Sequence, residues 1–547
     1  MNTAEAIVKI LEDNGVKKIF GHPGEQILPF YKALSSSNIE HVLTRNEQGA
    51  AMAADGYARS LGEFGVCLST AGPGALNLLM GVAVSYKDSV PLLVITGDVP
   101  YYLKGENTFQ DVDLVSMFKS IAIKSFFPHN GKTAIVNIKQ AVEILKKEPC
   151  GPVHINLSKD ILLDEDIGNI IGTDVEYNPN YDYSNLDEVV LALKQTKKPL
   201  LLIGAGVSWS KSVDKLKNLI ETYNLPIATT YHGNGIIDSK NNLNLGMMGI
   251  RGNPLANYAF KNSDLVLVLG ANLNERTLNP DVEDIGPIFK IYRRFKPKII
   301  HVNIDKKVLK GNINIHGDIK EVLSHLEKNE DIFTNIDKNW LFEIYESSED
   351  NTTYQEDNLS ENLNDDLLDP EIVIRDILES NRDSFVVGDA GSHTTWVAIF
   401  SNPSYRGKLI YSGGMAPMGY GLPGAIGAAI GNPNKKIIAI VGDGGIQMNI
   451  QELATIAEYK LPIAIFLLNN NQLGVIRQWE KQFYDMEPYE VDLSNPDFLA
   501  IVNAYGIDCE RVNTYDDLET AINKAKSIDK PYLVEIFVNQ KDIPFPK

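Results

Sequence analysis

The sequence contains few cysteines and none of the histidine patterns typical of transition-metal sites. Three of its 547 residues are cysteines, Cys67, Cys150 and Cys509, and they lie far apart and outside any CxxC pair. This spacing argues against a disulfide framework and against a structural zinc site. The nine histidines form no HxxxH or HExxH pattern. We therefore expect any bound metal to have oxygen ligands.

The sequence also lacks long hydrophobic runs and an excess of basic residues. No apolar run approaches the roughly 20 residues that span a bilayer, and residues 1–14 carry four charged side chains in place of a signal-peptide core. The 51 basic and 71 acidic residues give a formal net charge of −20. Because that charge repels phosphate backbones and anionic lipids, nucleic acid and membranes are poor candidate partners. The composition predicts a cytoplasmic protein.

Short apolar runs alternate with amphipathic segments along nearly the whole chain. The runs are continuous, as in LLVIT at 92–96, LVLVL at 265–269 and IAIFLL at 463–468. Continuous runs are typical of parallel strands that are buried on both faces. The predicted fold class is therefore α/β, with three doubly wound parallel-sheet domains at 1–165, 185–328 and 368–547. Residues 329–367 are predicted to form an acidic linker, since 330–369 contain thirteen acidic residues and one basic residue.

The strongest chemical signal lies in the last domain. The run KIIAIV at 436–441 leads into Gly442-Asp443-Gly444-Gly445, and the next apolar run ends at Asn469-Asn470. This order predicts that Asp443 and Asn470 lie at the carboxyl ends of neighbouring parallel strands, where open α/β sheets bind ligands. Their oxygens suit Mg²⁺ together with phosphate oxygens, and the glycines let main-chain N–H groups approach a phosphate. GDG alone is an ordinary glycine turn, but GDG followed by NN predicts a metal and diphosphate site.

The combination of GDG and NN resembles the thiamine diphosphate-binding motif, and the order of further motifs resembles the acetolactate synthase large-subunit family. These motifs are TRNEQGAAMAADGYAR at 44–59, TAGPGALN at 70–77, SGGMAPMGYGLPGAIGA at 412–428 and LGVIRQW at 473–479. The resemblance covers nearly the whole chain. It implies that the first domain binds the pyrimidine ring of the cofactor and the last domain its diphosphate. It also implies that thiamine diphosphate and Mg²⁺ are the cofactors.

The resemblance further implies roles for individual residues. Glu47 matches the glutamate that hydrogen-bonds the pyrimidine ring and promotes loss of the thiazolium proton. Met418 matches an apolar residue that bends the cofactor. The implied cofactor-binding residues are Pro23, Glu47, Thr70, Asn77, Ser392, His393, Met418, Gly442, Asp443, Gly444, Gly445 and Asn470, and the implied metal ligands are Asp443, Asn470 and Gln472.

Other residues are expected to act on the substrates. Gln110 matches a polar residue near the reacting carbonyl, and Phe109 and Trp479 are assigned to the substrate pocket. Arg276 matches a residue of the acceptor pocket, where a guanidinium binds a carboxylate bidentately, although an ordinary surface arginine is the alternative. The expected catalytic residues are Glu47, Gln110, Glu25 and Arg276.

Four residues depart from the family pattern. Glu25 replaces a glycine of the synthases and resembles an aspartate of the pyruvate decarboxylase branch, where a carboxylate that relays a proton favours aldehyde release. Asn46 replaces a histidine. Pro149 and Asn272 replace two arginines of the flavin-using synthases, which makes FAD a doubtful cofactor.

The predicted function is decarboxylation of a 2-oxo acid, with pyruvate as the first candidate, and ligation of the product to a second 2-oxo acid. A decarboxylase that releases an aldehyde is the alternative that Glu25 leaves open. A cofactor-binding protein without catalysis is a third interpretation, against which Glu47 argues. The resemblance implies a homodimer or homotetramer with active sites between chains, so that Glu47 and Asp443 meet only across two chains. The sequence leaves open whether a regulatory subunit binds this chain.

Overall fold

Three parallel sheets organise the chain, which confirms the predicted fold class. The computed structural model describes residues 1–168, 175–238, 240–278, 297–351, 367–400 and 408–543. Within these ranges each domain contains one six-stranded sheet with parallel pairing. The central strands at 92–98, 265–269 and 437–442 are buried along their whole length. None of the described helices is both long and apolar enough to cross a membrane.

The N-terminal domain alternates between helices and strands. Its first helix begins at a capping box, in which Asn2 and Glu5 each accept a main-chain N–H of the other. The elements are α1 (Thr3–Asp13), β1 (Lys18–Gly21), α2 (Leu28–Leu34), β2 (Glu40–Leu43), α3 (Glu47–Leu61), β3 (Gly65–Ser69), α4 (Pro73–Lys87), β4 (Leu92–Asp98), α5 (Leu114–Lys119), β5 (Lys124–Phe126), α6 (Gly131–Lys147), β6 (Pro152–Ser158) and α7 (Lys159–Leu163). The strands lie in the order β2-β1-β3-β4-β6-β5.

The central domain has a different strand order. Its elements are α8 (Leu186–Gln195), β7 (Pro199–Ile203), α9 (Gly206–Trp209), α10 (Val213–Tyr223), β8 (Ile227–Thr229), β9 (Asn244–Met247), α11 (Pro254–Asn262), β10 (Leu265–Leu269), α12 (Glu275–Leu278), β11 (Lys298–Asn303), β12 (Ile313–His316), α13 (Ile319–Leu326) and α14 (Trp340–Asn351). The strands lie in the order β12-β11-β10-β7-β8-β9. The first strand of this domain, β7, is therefore at the centre of its sheet.

The C-terminal domain repeats the strand order of the N-terminal domain. Its elements are α15 (Pro370–Ser380), β13 (Phe385–Gly388), α16 (Ser392–Phe400), β14 (Lys408–Ile410), α17 (Gly421–Gly431), β15 (Ile437–Gly442), α18 (Asp443–Met448), α19 (Leu453–Glu458), β16 (Ile463–Asn469), α20 (Gly474–Tyr484), α21 (Phe498–Ala504), β17 (Asp508–Val512), α22 (Tyr515–Ala525) and β18 (Tyr532–Phe537). The strands lie in the order β14-β13-β15-β16-β18-β17.

The acidic segment that was predicted to be a linker begins as part of the central domain. Phe333, Trp340 and Ile344 are buried in the core of that domain, and Trp340 Nε1 donates a hydrogen bond to the carbonyl oxygen of Pro199 at 2.9 Å. The structure therefore corrects the predicted linker over 329–367 for residues 332–351. Composition misled the prediction because α14 is amphipathic, with Ile344 buried and Glu346 exposed. Residues 352–366 lie outside the described residues.

Candidate active site

In both terminal domains the predicted site residues follow the same pair of strands. In the N-terminal domain β1 and β3 are neighbours, and they are followed by Pro23 to Glu25 and by Thr70. In the C-terminal domain β13 and β15 are neighbours, and they are followed by Ser392-His393 and by Gly442–Gly445. The strand order reverses at this point of each sheet, which leaves a crevice at the carboxyl ends of the strands.

Glu47 is held at the start of α3 by groups from both terminal domains. The buried carboxylate of Glu452 accepts the main-chain N–H groups of Arg45 and Asn46, each at 3.0 Å. Asn77 Nδ2 donates a hydrogen bond to Glu47 Oε2 at 3.0 Å. Because Glu47 is only 8% exposed, its carboxylate has a defined and nearly dry position beside the start of α4.

Three other predicted residues of the N-terminal domain, Gln110, Phe109 and Glu25, lie closer to its surface. Gln110 adopts a left-handed backbone conformation, with φ of 64°, and packs against Gly72 at the start of α4. Phe109 is 76% exposed. The Glu25 side chain is 62% exposed and forms an ion pair of 3.1 Å with Lys159. In one chain Phe109 and Glu25 are thus largely exposed at the surface of the N-terminal domain.

The predicted residues of the C-terminal domain line one cavity of about 580 Å³. Its walls also include residues of the N-terminal and central domains, among them Pro149 and Asn272. The predicted residues that it contains are Arg276, Ser392, His393, Met418, Gly442, Asp443, Gly444, Gly445, Asn470, Gln472 and Trp479. Among the described residues that line this cavity, Glu47 and Gln110 do not appear. The predicted site therefore exists in one chain as two separate groups.

The polar groups at one end of the cavity fit a divalent metal bound to a diphosphate. Asp443 is buried, and its Oδ2 accepts a hydrogen bond from Asn495 Nδ2 at 2.7 Å. Burial raises the pKa of Asp443. Asn470 Oδ1 accepts the main-chain N–H of Gln472 at 3.1 Å. In the part of the chain that the structure describes, no group of three or more His, Cys, Asp or Glu side chains could bind a metal by itself. A hard cation here needs the Asn470 amide oxygen, a main-chain carbonyl and ligand oxygens as well.

Two buried polar atoms at this end have no protein partner within the described residues. They are His393 Nε2 and Gln472 Oε1. Burial lowers the pKa of His393 to about 4, so its imidazole is neutral at pH 7 and one ring nitrogen donates a hydrogen bond. Buried polar groups normally have hydrogen-bond partners. A phosphate oxygen of a bound ligand would be such a partner for His393 Nε2. The residues present therefore fit thiamine diphosphate with Mg²⁺.

Family models match three successive parts of the chain. The model of the thiamine pyrophosphate enzyme N-terminal TPP binding domain matches residues 1–117. The model of the central domain of these enzymes matches residues 186–326, and the model of their C-terminal TPP binding domain matches residues 389–536. The three matches follow the three domains of the structure in order.

Individual relatives agree over nearly the full length. The chain is 35% identical to the probable acetolactate synthase large subunit of Methanococcus aeolicus, over 98% of this chain and 92% of that protein. It is 36% identical to the acetolactate synthase large subunit of Cyanidium caldarium, over 99% of this chain and 94% of that protein. It is 31% identical to the acetolactate synthase isozyme 2 large subunit of Escherichia coli K12, over 100% of this chain and 97% of that protein. The chain belongs to the acetolactate synthase large-subunit family of thiamine pyrophosphate enzymes. This membership confirms the family that the sequence motifs predicted.

In this thiamine pyrophosphate enzyme the two residues predicted for the acceptor pocket lie together. The guanidinium of Arg276 lies 5.6 Å from the centroid of the Trp479 ring. Arg276 is the second residue of α12 in the central domain, and Trp479 is on α20 of the C-terminal domain. A guanidinium on an aromatic face keeps its N–H edge free for a carboxylate. The Arg276 cation thus belongs to the wall of the cavity that the central domain contributes. The diphosphate end belongs to the C-terminal domain.

One further residue beside the cavity, Asp389, was not predicted from the sequence. Asp389 follows β13, and its carboxylate accepts the main-chain N–H groups of Gly419 and Gly421 at 2.7 and 3.1 Å. Burial raises the pKa of Asp389 to about 6. Asp389 thus holds the end of the loop that contains Met418. The signal that could have identified it is GDAG directly after a buried apolar run, which parallels the GDGG at 442–445.

Proposed function

We propose that this chain decarboxylates a 2-oxo acid, with pyruvate as the first candidate, and ligates the product to a second 2-oxo acid. The observation that carries the proposal is one cavity that combines the Asp443 and Asn470 oxygens with a guanidinium held over Trp479. The first set suits a metal-bound diphosphate, and the second suits the carboxylate of an acceptor. The relatives named above are acetolactate synthase large subunits, which does not favour the alternative of a decarboxylase that releases an aldehyde.

The residues of this chain divide the work by position. When bound, thiamine diphosphate supplies the carbon nucleophile and the electron sink for decarboxylation. Asp443, Asn470 and Gln472 would hold Mg²⁺ and the diphosphate, while Glu47 would exchange a proton with the pyrimidine ring. Arg276 would bind the acceptor carboxylate. Gln110 would hydrogen-bond the reacting carbonyl in the assembled site.

We also propose that each active site forms between two chains. Within one chain, Glu47 lies outside the described walls of the cavity that contains Asp443. Glu25 and Phe109 of the N-terminal domain are largely exposed, which suits a surface completed by a second copy. Since the relatives are named large subunits, we further propose that a smaller regulatory subunit binds this chain.

Two residues that line the cavity bear on whether the chain uses FAD. Pro149 and Asn272 line the cavity, where the flavin-using synthases would have arginines by the resemblance above. Neither residue has a positive charge to pair with a flavin diphosphate. We therefore propose that the reaction proceeds without FAD.

The reaction is tested with the purified full-length protein, thiamine diphosphate, Mg²⁺ and a panel of 2-oxo acids, with and without added FAD. We expect carbon dioxide and a ligated 2-hydroxy-3-oxo acid from pyruvate, at equal rates with and without FAD. Free aldehyde in an amount equal to the carbon dioxide would replace this proposal with the decarboxylase. A strict requirement for FAD would overturn the flavin proposal alone.

A further inference from the structure

A second buried carboxylate, Asp88, holds the other end of the Met418 loop. Asp88 follows α4 in the N-terminal domain, and its side chain is 2% exposed. Its Oδ1 accepts the main-chain N–H of Gly414 at 2.7 Å, and its Oδ2 accepts that of Gly413 at 3.2 Å. Hydrogen bonds from main-chain N–H groups to an ionised carboxylate are among the stronger ones in proteins. The N-terminal domain thus fixes two successive residues of the C-terminal domain.

The Met418 loop, residues 412–420, is therefore suspended between two carboxylates. Asp88 accepts N–H groups from its beginning, and Asp389 accepts that of Gly419 near its end. Both carboxylates line the cavity, and so does Met418 between them. A loop without helix or strand bonds depends on such side-chain partners for its conformation.

Asp88 is itself held by residues from two domains. Arg59 Nη2 donates a hydrogen bond to Asp88 Oδ2 at 2.7 Å, and Arg59 is bound in turn by Asp55 at 2.6 Å. His232 of the central domain brings its Nε2 to 3.1 Å from Asp88 Oδ1. Burial alone would raise the pKa of Asp88, but the neighbouring His232 and Arg59 lower it below its ordinary value. Asp88 is thus ionised, paired and fixed where the three domains meet.

The opposite half of the site shows the same arrangement in reverse. Glu452 of the C-terminal domain accepts the N–H groups of Arg45 and Asn46, directly before Glu47. The strand orders of the two terminal domains are identical. Asp88 lies in the connection from β3 to β4, and Glu452 lies in the equivalent connection from β15 to β16. Each terminal domain thus uses a buried carboxylate to hold the main chain beside the site residue of the other.

We propose that Asp88 is a positioning residue that sets the conformation of the Met418 loop for the thiamine moiety of the cofactor. The inference rests on the proposed function and on the role in bending the cofactor that the family resemblance implies for Met418. Asp88 acts through Gly413 and Gly414, and within the described residues none of its hydrogen bonds reaches the diphosphate end at Asp443. Loss of Asp88 therefore affects recognition of the thiamine ring system and leaves recognition of the diphosphate in place.

The test compares two ligands on cofactor-free full-length protein in the presence of Mg²⁺. Binding of thiamine diphosphate is measured by calorimetry, and binding of inorganic diphosphate by calorimetry or competition. We expect Asp88→Asn to weaken thiamine diphosphate about tenfold or more while inorganic diphosphate changes by less than about twofold. Hydrogen exchange of residues 412–420 should be faster in the variant, without a change in the strands of the same sheet.

A second variant protects the test against a folding defect in Asp88→Asn. Gly414→Ala leaves every charge in place, but its Cβ would lie 2.7 Å from Asp88 Oδ1, so the loop must move away from its anchor. We expect the same selective loss for thiamine diphosphate. As a control, Asp264→Asn removes a carboxylate that accepts the N–H groups of Lys197 and Lys198 outside the cavity, and it should change neither affinity.

The outcomes separate this inference from the proposed function. Unchanged affinity for both ligands, or equal losses for both, in the folded variants would overturn the positioning role of Asp88. If the parent protein binds thiamine diphosphate no more tightly than inorganic diphosphate, that result overturns the proposed cofactor site and this inference together. A selective loss in the variants, with a tight-binding parent, supports the inference.

Discussion

At the scale of single residues, the chemistry of Glu47 depends on its partners. Its Oε2 accepts a hydrogen bond from Asn77, and the main chain before it is held by Glu452. Among the described residues, the Glu47 carboxylate accepts this hydrogen bond through Oε2, which leaves Oε1 for a ligand. A carboxyl group in such a position can pass a proton to a bound ring, which a neutral amide cannot do.

We predict that Glu47→Gln keeps the fold and most of the cofactor affinity but loses activity. General acid–base contributions predict a decrease in kcat of about 10²- to 10⁴-fold. The measurements are kcat for carbon dioxide release and the dissociation constant of thiamine diphosphate. Glu40→Gln is the control, because Glu40 is exposed and pairs with Lys18 at the edge of the same domain. Parental activity in Glu47→Gln would remove this residue from the mechanism.

Arg276 is the residue that we propose to favour ligation over aldehyde release. We predict that Arg276→Ala raises the apparent KM of the acceptor and lowers the ratio of ligated product to aldehyde, because the acceptor carboxylate loses a charge-assisted partner of about 1.5–3 kcal/mol. Product analysis on pyruvate measures this ratio. Arg375→Ala is a matched control, since Arg375 stacks on Phe400 at 5.0 Å outside the cavity. A product ratio that stays constant in both variants would leave Arg276 without a role in the acceptor pocket.

At the scale of elements, the crossing of α3 and α17 positions both halves of the site. Glu47 begins α3, and the Met418 loop ends at the start of α17. The two helices approach closely through glycines: a Cβ on Gly427 would lie 1.8 Å from the carbonyl oxygen of Ala53. A change in this crossing therefore moves Glu47 and Met418 relative to each other.

We predict that Gly427→Ala destabilises the protein by roughly 1–3 kcal/mol, as overpacking against rigid backbone does. The urea midpoint of unfolding and the affinity for thiamine diphosphate should both fall. Gly431→Ala at the end of the same helix is the control, because its Cβ would meet Ser60 Oγ at 3.0 Å, and that side chain can rotate away. Equal urea midpoints for the two variants would show that α3 and α17 can move apart without loss of stability.

At the scale of the whole molecule, the chain carries two separate groups of predicted site residues on domains with the same strand order. The N-terminal half contains Glu47, and the cavity of the C-terminal half contains Asp443. A symmetric dimer can pair the first half of one chain with the second half of its partner in two equivalent places. This geometry makes a test by complementation possible.

We predict that Glu47→Gln and Asp443→Ala chains, each inactive alone, recover activity when they are mixed and allowed to exchange subunits. A mixed dimer has one site with both parental residues and one site with neither, so random exchange predicts about a quarter of parental activity. The rate of carbon dioxide release measures the recovery. Two Asp443→Ala chains of different tags are mixed as the control. If each site lies within one chain, no recovery will occur, although exchange of tags is seen.

Much of the fold and half of the site were predictable because their signals are local. Continuous apolar runs predicted parallel strands such as 265–269 and 463–468. Asp443 and Asn470 were predictable together because they follow two strands that pair directly. Composition failed at 332–351, where the exposed Glu346 and the buried Trp340 and Ile344 belong to the same helix.

The sequence by itself therefore determined the α/β class, the family and the motifs at the strand ends, since each depends on residues close together in the chain. Only the tertiary structure decided which residues hold those motifs in place. Asp88 contacts Gly414 across 326 residues, and Glu452 contacts Arg45 across 407. Both are single acidic residues without a motif, and their partners are main-chain N–H groups that carry no side-chain signature. Their roles arise from the packing of one domain against another, which no local pattern encodes.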